Sequence, residues 1–221
     1  MLLLPYLAGL QYGQSWLQVP LLVMWLSGWL FTHHALLGVK TLRFGRYRRQ
    51  IVVYAMVSAA AALPVFVFRP GLLAFAPAFA VLFAVNVVAA RLGQDRATGN
   101  GIASVTMAAL MAIIAPATAG ESWTVGIGAA IIAWLYLAGT VLYVKTMIRE
   151  RGSRLHYVVS IAGHGAAVVA APLVSPWFAI PFAWFLARAI VLPRHHLKVT
   201  VVGILEVVNA VMLLCVMIAV L

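Results

Sequence analysis

The sequence TVGIGAAIIAWLYLAGTVLYVKTMIRERGSR, residues 124–154, joins a long uncharged run to a dense basic end. Twenty residues without a charge precede Tyr143. About 20 apolar residues in a helix match the thickness of the hydrocarbon core of a bilayer. The stretch therefore predicts a transmembrane helix that ends in a basic turn. Four cations surround one acid in that turn: Lys145, Arg149, Arg151 and Arg154 around Glu150.

The composition of the whole chain supports the same interpretation. The 221 residues are 65% hydrophobic and 9% charged, with a mean hydropathy of +1.07. A soluble domain averages about 45–50% apolar and about 25% charged residues. Backbone groups in lipid must be satisfied internally, and continuous rather than alternating apolar runs favour helices over a barrel. We predict an all-α, polytopic transmembrane bundle that forms one domain over residues 1–221.

Eight full spans and one short apolar run are predicted along the chain. The short run extends from Met1 to about Leu10, and about ten residues at 1.5 Å each are too few to cross about 30 Å of hydrocarbon. It is either a half-helix or part of a span that begins before Met1. The bundle therefore has about nine helices, the first of them short or truncated. The full spans are predicted at 16–37, 51–68, 71–90, 101–119, 122–144, 155–174, 177–192 and 199–220, with breaks such as the segment from Pro116 to Ser122.

Basic residues gather in alternate connections between these helices. The connections that follow the even-numbered helices hold most of the cations, and the opposite connections hold only Arg69 and Glu121. Because Lys and Arg accumulate in cytoplasmic loops, we expect the basic connections in the cytoplasm and the C-terminal Leu221 outside. The stretch VKTLRFGRYRRQ, residues 39–50, is predicted as a polybasic loop that attracts anionic lipid. We therefore attribute the formal charge of +11 to the cytoplasmic connections, which set the topology and attract membrane lipids as partners. We expect no nucleic-acid binding.

Several polar residues lie inside the predicted spans, mostly near the cytoplasmic end. Ionisable groups at such depths usually face the interior of a bundle or a wet cavity. Arg188 is about five residues from the end of its span, which is about 7 Å, and Glu206 is about 10 Å deep. We therefore predict a cytoplasm-facing cavity beneath the basic turns. Its predicted ligand-binding residues are Lys145, Arg149, Glu150, Arg151, Arg188, Glu206 and His164.

Structural roles for these polar residues remain open as alternatives. Glu206 could form an ion pair with Arg188 or Lys145, and His164 could pack between its flanking glycines. Asn86 and Asn209 also lie in the spans, and we expect them to make interhelical hydrogen bonds. The pair His33–His34 is a further polar group in a span. Neither this pair nor His195–His196 is a sufficient ligand set, so no metal site is predicted. No catalytic residue or cofactor can be assigned.

Three stretches of the chain resemble the YwiC-like family of bacterial integral membrane proteins. They are GTVLYVKTMIRERGSR at 139–154, RPGLLAFAPAFA at 69–80 and LPRHHLKVTVVGILEVV at 192–208. The resemblance implies a multi-pass protein of the bacterial inner membrane. It also implies a segment like PNQHGAW before the run MLLLP, whereas this sequence starts with that run at Met1. The family topology is similar to that of UbiA-type prenyltransferases, which have nine helices and bind an isoprenoid diphosphate.

The likeness to UbiA-type enzymes is incomplete in the connections where those enzymes carry Asp-rich motifs. No acidic residue occurs between Lys40 and Gln50, and Glu150 is the only acidic residue in the connection after the sixth helix. Too few carboxylates remain for a paired-magnesium site, although Lys and Arg could hold a diphosphate directly. The sequence thus favours a protein that binds an isoprenoid diphosphate or another anionic lipid. A transporter and a purely structural or assembly protein are the alternatives.

Overall fold

The computed structural model describes residues 2–195 and 197–221, and over these residues the chain is helical without a β-strand. Eight of its helical segments are long and apolar enough to cross a membrane, which confirms the all-α, multi-pass prediction. Met1, at the start of the predicted short run, and His196, in the second histidine pair, lie outside the described residues. The α-helices are α1 Leu3–Leu10, α2 Gln18–Thr41, α3 Phe44–Phe68, α4 Ala76–Arg91, α5 Thr98–Ala119, α6 Ile127–Ile148, α7 Arg154–Ala170, α8 Ala179–Val191 and α9 Val199–Val220.

Short 3₁₀ turns adjoin several of these helices. Pro70–Phe75 precedes α4, Trp123–Gly126 precedes α6, and Pro176–Phe178 precedes α8. In two of these turns proline occupies the first position, where its missing N–H costs no hydrogen bond. The turns start on the side of the bundle opposite the basic connections. They let each chain segment re-enter the bundle without a long loop.

The predicted polybasic loop at 39–50 is wrong over most of its length. α2 continues to Thr41 and α3 begins at Phe44, so the connection is only two residues, with Leu42 at φ 56°. Arg, Lys and Leu are good helix formers, and charge does not oppose a helix once it leaves the bilayer. The 25 residues of α3 extend about 37 Å, which is more than the hydrocarbon core needs. The basic first turns of α3 are therefore a helical extension rather than a loop.

α5 runs through Pro116 and ends at Ala119, in agreement with the predicted span 101–119, so the predicted break from Pro116 to Ser122 is present only over residues 120–122. The φ of Gly120 is +96°, and its N–H bonds to carbonyls of the last turn, as in a glycine-terminated helix. Pro116 has no N–H to donate to the Ala112 carbonyl, which therefore lacks its intrahelical partner. Gly9 of α1 and Gly126 before α6 both pack against this carbonyl. The proline thus marks the point where α1, α5 and α6 meet.

The short helix α1 packs one face against the bundle and leaves Leu3 and Leu7 exposed. Leu4, Tyr6 and Ala8 are buried. The Tyr6 hydroxyl donates to the Gln18 carbonyl oxygen at 2.7 Å, and the Trp25 indole N–H donates to the Leu2 carbonyl oxygen at 3.3 Å. The eight described residues of α1 fit both interpretations of the short run, the half-helix and the span that begins before Met1.

The basic connections lie together at one end of the bundle, which we call the basic end. At the opposite end Arg69 Nε donates to the Thr118 carbonyl oxygen at 3.1 Å. The side-chain contacts thus reproduce the segregation of charge that the sequence predicted. Three of them join the basic connections: Lys40 Nζ to Asp95 Oδ1 at 2.7 Å, Lys145 Nζ to Thr98 Oγ1 at 3.0 Å, and Arg151 Nη2 to the Leu197 carbonyl oxygen at 3.1 Å.

Cysteine labelling should show that the basic end faces the cytoplasm. In a Cys215→Ala background, we expect Glu121→Cys to react with an impermeant maleimide in spheroplasts. Arg194→Cys should react only after lysis, because cation-rich turns are retained in the cytoplasm. Both side chains are exposed at opposite ends of the bundle. Reaction of both cysteines from the same side, or the reverse pattern, would contradict the assignment.

Candidate functional site

A buried ion pair joins α8 to α9 in the second half of the chain. Arg188 Nη1 donates to Glu206 Oε1, and the two residues are only 3% and 8% exposed. Thr140 of α6 donates to Glu206 Oε2 at 2.8 Å, and the Tyr136 hydroxyl donates to the Glu206 carbonyl oxygen at 3.0 Å. The carboxylate is thus held by groups from two neighbouring helices. The structure confirms the ion-pair interpretation of Glu206 and gives Arg188, rather than Lys145, as its partner.

The guanidinium of Arg188 is enclosed by aromatic rings. Its Cζ lies 4.2 Å from the ring centroid of Tyr143 and 5.4 Å from that of Phe185, distances typical of cation–π contact. Its Nε and Nη2 have no hydrogen-bond partner among the described residues, and the same is true of the Tyr143 hydroxyl and Ser160 Oγ. Glu206 is therefore the group that compensates the buried charge of Arg188.

His164 packs against the backbone of α6. Its Nδ1 donates to the Ser160 carbonyl oxygen at 2.7 Å, since a carbonyl can only accept. A Cβ placed on Gly139 would lie 3.1 Å from His164 Nε2, so the glycine makes room for the ring. This is the close helix packing that was one of the alternatives for His164, although the glycine that matters is on α6 and does not flank the histidine.

Two asparagines make the interhelical hydrogen bonds that the sequence predicted. Ser104 of α5 donates to Asn86 Oδ1 of α4 at 3.1 Å. Trp184 of α8 donates through its indole N–H to Asn209 Oδ1 of α9 at 3.0 Å. Each bond satisfies a polar group that would otherwise be unpaired at membrane depth.

The charged residues after α6 are exposed or contact other groups at the basic end. Arg149 is exposed, and Arg151 Nε donates to the Met147 carbonyl oxygen at 3.0 Å. Glu150 Oε2 lies 3.7 Å from His156 Nδ1. Among the described residues, no hydrogen bond or ion pair links these groups or Lys145 to Arg188 or Glu206. The structure thus brings together Arg188 and Glu206 but does not add the turn residues to them.

A polar cavity of about 280 Å³ lies at the basic end between α2, α4 and α5. Its charged lining residues are Lys40 and Asp95, which form an ion pair across the cavity's rim. Asn100 Nδ2 donates to the Asp95 carbonyl oxygen at 2.8 Å, which fixes the turn between α4 and α5. Other polar lining residues are Thr32, His33, Asn86 and Ser104.

An apolar cavity of about 440 Å³ adjoins the polar one, between α2, α3, α4 and α5. Aromatic and methionine side chains dominate its lining. The two cavities share four lining residues, and together they follow α2 from Leu21, near its start, to Lys40, near its end. The lining between these helices therefore changes from a mixture of polar and apolar side chains at the basic end to a predominantly apolar one in the other half of the bundle. The shared residues are Trp25, Trp29, Thr32 and Met107.

None of the seven residues predicted to bind a ligand lines either of these two cavities. They belong to α6–α9, whereas the cavities lie between the earlier helices. Sequence reasoning noted Asn86, His33 and Asp95 but did not place them together. The available signal was Asp95, an isolated acid in a basic connection, with Asn100 five residues later. No group of three or more His, Cys, Asp or Glu side chains comes together in the described part of the chain.

Two uncharacterised bacterial proteins resemble the chain over most of its length. A protein of Haemophilus influenzae, described as an uncharacterized protein, is 28% identical over 210 residues, covering 93% of this chain and 88% of its own. The uncharacterized protein YwiC of Bacillus subtilis is 27% identical over 230 residues, covering 98% of this chain and 92% of its own. No solved structure matches. The UbiA-like topology therefore stays a prediction.

The sequence model of the YwiC-like protein family matches residues 1–118. Of the three stretches that carried the resemblance, only 69–80 lies in the matched segment, so the other two were not the basis of this match. The segment contains every residue that lines the polar and apolar cavities. It covers more than half of the 221 residues, and this multi-pass membrane protein therefore belongs to the YwiC-like family.

Proposed function

We propose that the protein binds a membrane amphiphile in the two adjoining cavities. The polar head of the ligand lies in the polar cavity at the basic end, and its tail lies in the apolar cavity. The observation that carries the proposal is that the cavity with polar and charged side chains at the basic end shares lining residues with an adjoining apolar cavity between the same helices. Long molecules with one polar end match this gradient, whereas small hydrophilic solutes do not.

The apolar cavity supports a hydrocarbon tail. Its volume of about 440 Å³ is in the range of small-molecule sites, which are mostly apolar clefts of about 300–1,000 Å³. Phe75, Phe79 and Met111 are among its lining side chains. Aromatic rings offer large apolar contact areas and methionine adapts to irregular shapes, so both suit a flexible chain. The apolar lining gives a hydrophilic solute no path through this half of the bundle, which disfavours solute transport through these cavities.

The basic end supports a head group that contains phosphate. Lys40 supplies a cation in the lining itself, Arg91 is the last residue of α4, and Arg43 and Arg96 lie in connections at the same end. Charge-assisted hydrogen bonds to phosphate oxygens are about twice as strong as neutral ones. Isoprenoid diphosphates and phospholipids share this chemistry. The positive-inside rule places the head group in the cytoplasmic leaflet of the bacterial inner membrane.

Filling the apolar cavity should reduce the binding of the amphiphile. Ala80 lines this cavity, and Ala80→Phe would occupy volume that the tail needs. We expect about a tenfold weaker retention of the lipid that co-purifies with the protein, or about 1.4 kcal/mol, because the phenyl ring and the tail compete for the same space. Native mass spectrometry and lipid extraction of the purified protein would measure it.

The matched control is Ala59→Phe on α3. Ala59 is exposed and lines neither cavity, so the same change of side chain should leave lipid retention unaltered. If the two variants retain the same lipid in the same amount as the wild type, the proposal is wrong. That result would favour the structural or assembly role.

A further inference from the structure

The charges that line the polar cavity balance one another. Lys40 and Asp95 are its charged lining residues, and Lys40 Nζ lies 2.7 Å from Asp95 Oδ1. The hydrogen bond from Lys40 holds the pKa of Asp95 below its usual value, so the carboxylate is charged at neutral pH. Arg96, which is mostly exposed, lies 4.0 Å from the other carboxylate oxygen. A diphosphate would bring several negative charges to a lining in which Lys40 already has a partner.

A buried hydrogen-bond acceptor without a partner in the described chain lies close to this ion pair. Asn100 Oδ1 is buried and has no hydrogen-bond partner in the part of the chain that the structure describes. The amide nitrogen of the same side chain already donates to the Asp95 carbonyl oxygen, and the Ser104 hydroxyl already donates to Asn86 Oδ1. A buried acceptor without a donor costs about 1–3 kcal/mol. The ligand group that best fits next to Asp95 and Asn100 is therefore a donor with a positive charge.

We infer that the ligand's head group is zwitterionic, with a phosphate that pairs with Lys40 and a primary ammonium that donates to Asp95 and Asn100. This inference rests on the proposed function. The chemistry is that of an aminophospholipid, whose two charges are only a few bonds apart and can therefore both reach Lys40 and Asp95, whose charged atoms lie 2.7 Å apart in space. Binding exchanges one ion pair within the protein for two with the ligand, and the net charge of the site does not change.

A diphosphate bridged by divalent cations fits the lining less well. Such a site needs several carboxylates to hold its metal ions. Asp95 is the carboxylate in the lining of the polar cavity, and its oxygens already face Lys40 and Arg96. An ammonium needs only the acceptors that are present.

The inference can be tested by comparing lipids that differ in one chemical feature. Delipidated wild-type protein in detergent would be titrated by native mass spectrometry with four dioleoyl or isoprenoid lipids. Phosphatidylethanolamine has the ammonium, phosphatidylcholine has the same net charge without N–H donors, and phosphatidylglycerol is anionic. Geranylgeranyl diphosphate with Mg²⁺ is the fourth. We expect phosphatidylethanolamine to bind about tenfold more tightly than the other three, the effect of a charge-assisted hydrogen bond.

Two variants locate this preference in the polar cavity. Asp95→Asn should abolish the preference for phosphatidylethanolamine over phosphatidylcholine, and Asn100→Ala should reduce it. The control is Glu150→Gln, which removes an acid at the same end of the bundle but outside the cavity lining and should keep the preference. Circular dichroism would show that each variant is folded.

The possible failures are distinguishable. If phosphatidylglycerol or geranylgeranyl diphosphate binds most tightly, and Ala80→Phe weakens that binding, the zwitterionic head group is wrong and the proposed function stands. A preference for phosphatidylethanolamine that persists in both folded variants, Asp95→Asn and Asn100→Ala, also overturns the inference. If Ala80→Phe changes the binding of none of the four lipids, the inference and the proposed function both fail.

Discussion

Glu206→Leu is expected to lower the free energy of unfolding by about 3–5 kcal/mol, the typical cost of removing one partner of a buried ion pair. The variant leaves the guanidinium of Arg188 buried, with Nε and Nη2 already unpartnered among the described residues. Arginine does not lose its proton in proteins, so the charge cannot be neutralised. The rings of Tyr143 and Phe185 would then be the main remaining contacts of the guanidinium.

The complementary change, Arg188→Met, should cost less than Glu206→Leu. Glu206 would keep the hydrogen bonds from Thr140 and Tyr136, and a carboxylate can take up a proton. In the double variant both charges are absent and the two apolar side chains can pack together. We expect the double variant to be within about 1 kcal/mol of the wild type, or more stable, because hydrophobic replacement of a buried ion pair is often neutral or stabilising.

Reversible unfolding in mixed micelles of dodecylmaltoside and sodium dodecyl sulfate, followed by circular dichroism, would measure all three variants. The coupling energy from this double-mutant cycle isolates the ion pair from other contacts. Additive effects of the two single substitutions would show that Arg188 and Glu206 are not paired in the protein.

Gly126→Ala is expected to destabilise the protein by about 3 kcal/mol, the upper part of the range for overpacking a core. The added methyl group would meet backbone atoms of α5, with Ile113 Cα at 2.9 Å and the Ala112 carbonyl carbon at 3.0 Å. Backbone atoms cannot rotate away as a side chain can. The φ of Gly126 is −85°, which alanine adopts freely, so the expected cost is steric.

The control for this substitution is Gly203→Ala on α9. Gly203 is exposed, and a Cβ at this position would meet nothing within 4 Å. Alanine is favoured over glycine inside a helix by about 0.5–1 kcal/mol, so this variant should be as stable as the wild type or slightly more stable. Equal stability of Gly126→Ala and Gly203→Ala in the same micelle assay would contradict the close contact of α5 with the start of α6.

The membrane-spanning segments were predictable because each one depends on the apolar character of its own residues. A helix that crosses a bilayer must be apolar over about 20 residues whatever its neighbours are, and topology follows from cations beside it. The segregation of the basic connections to one end of the bundle was predictable for the same reason, because it follows from the order of spans and cations along the chain. Boundaries were less predictable where helices leave the bilayer, as at the start of α3.

The candidate site was not predictable in the same way. The sequence showed that Arg188 and Glu206 are deep, and it suggested their pairing, but it also grouped them with the cations after α6. In the structure Lys145 donates to Thr98 and Arg151 to carbonyl oxygens, so these cations have other partners. Depth along each helix can be counted from the sequence, whereas the direction in which a side chain points depends on how neighbouring helices are rotated.

The amino-acid sequence alone determined that this chain is a bundle of membrane-crossing helices with one basic end. Only the tertiary structure decided which helices stand apart enough to leave a cavity, and it placed the cavities between α2, α3, α4 and α5 rather than beneath the turn after α6. The physical reason is that apolarity and charge act on each segment separately, through transfer into lipid. A cavity, in contrast, lies between segments. It forms where side chains from residues far apart in the sequence pack together without filling the space between them.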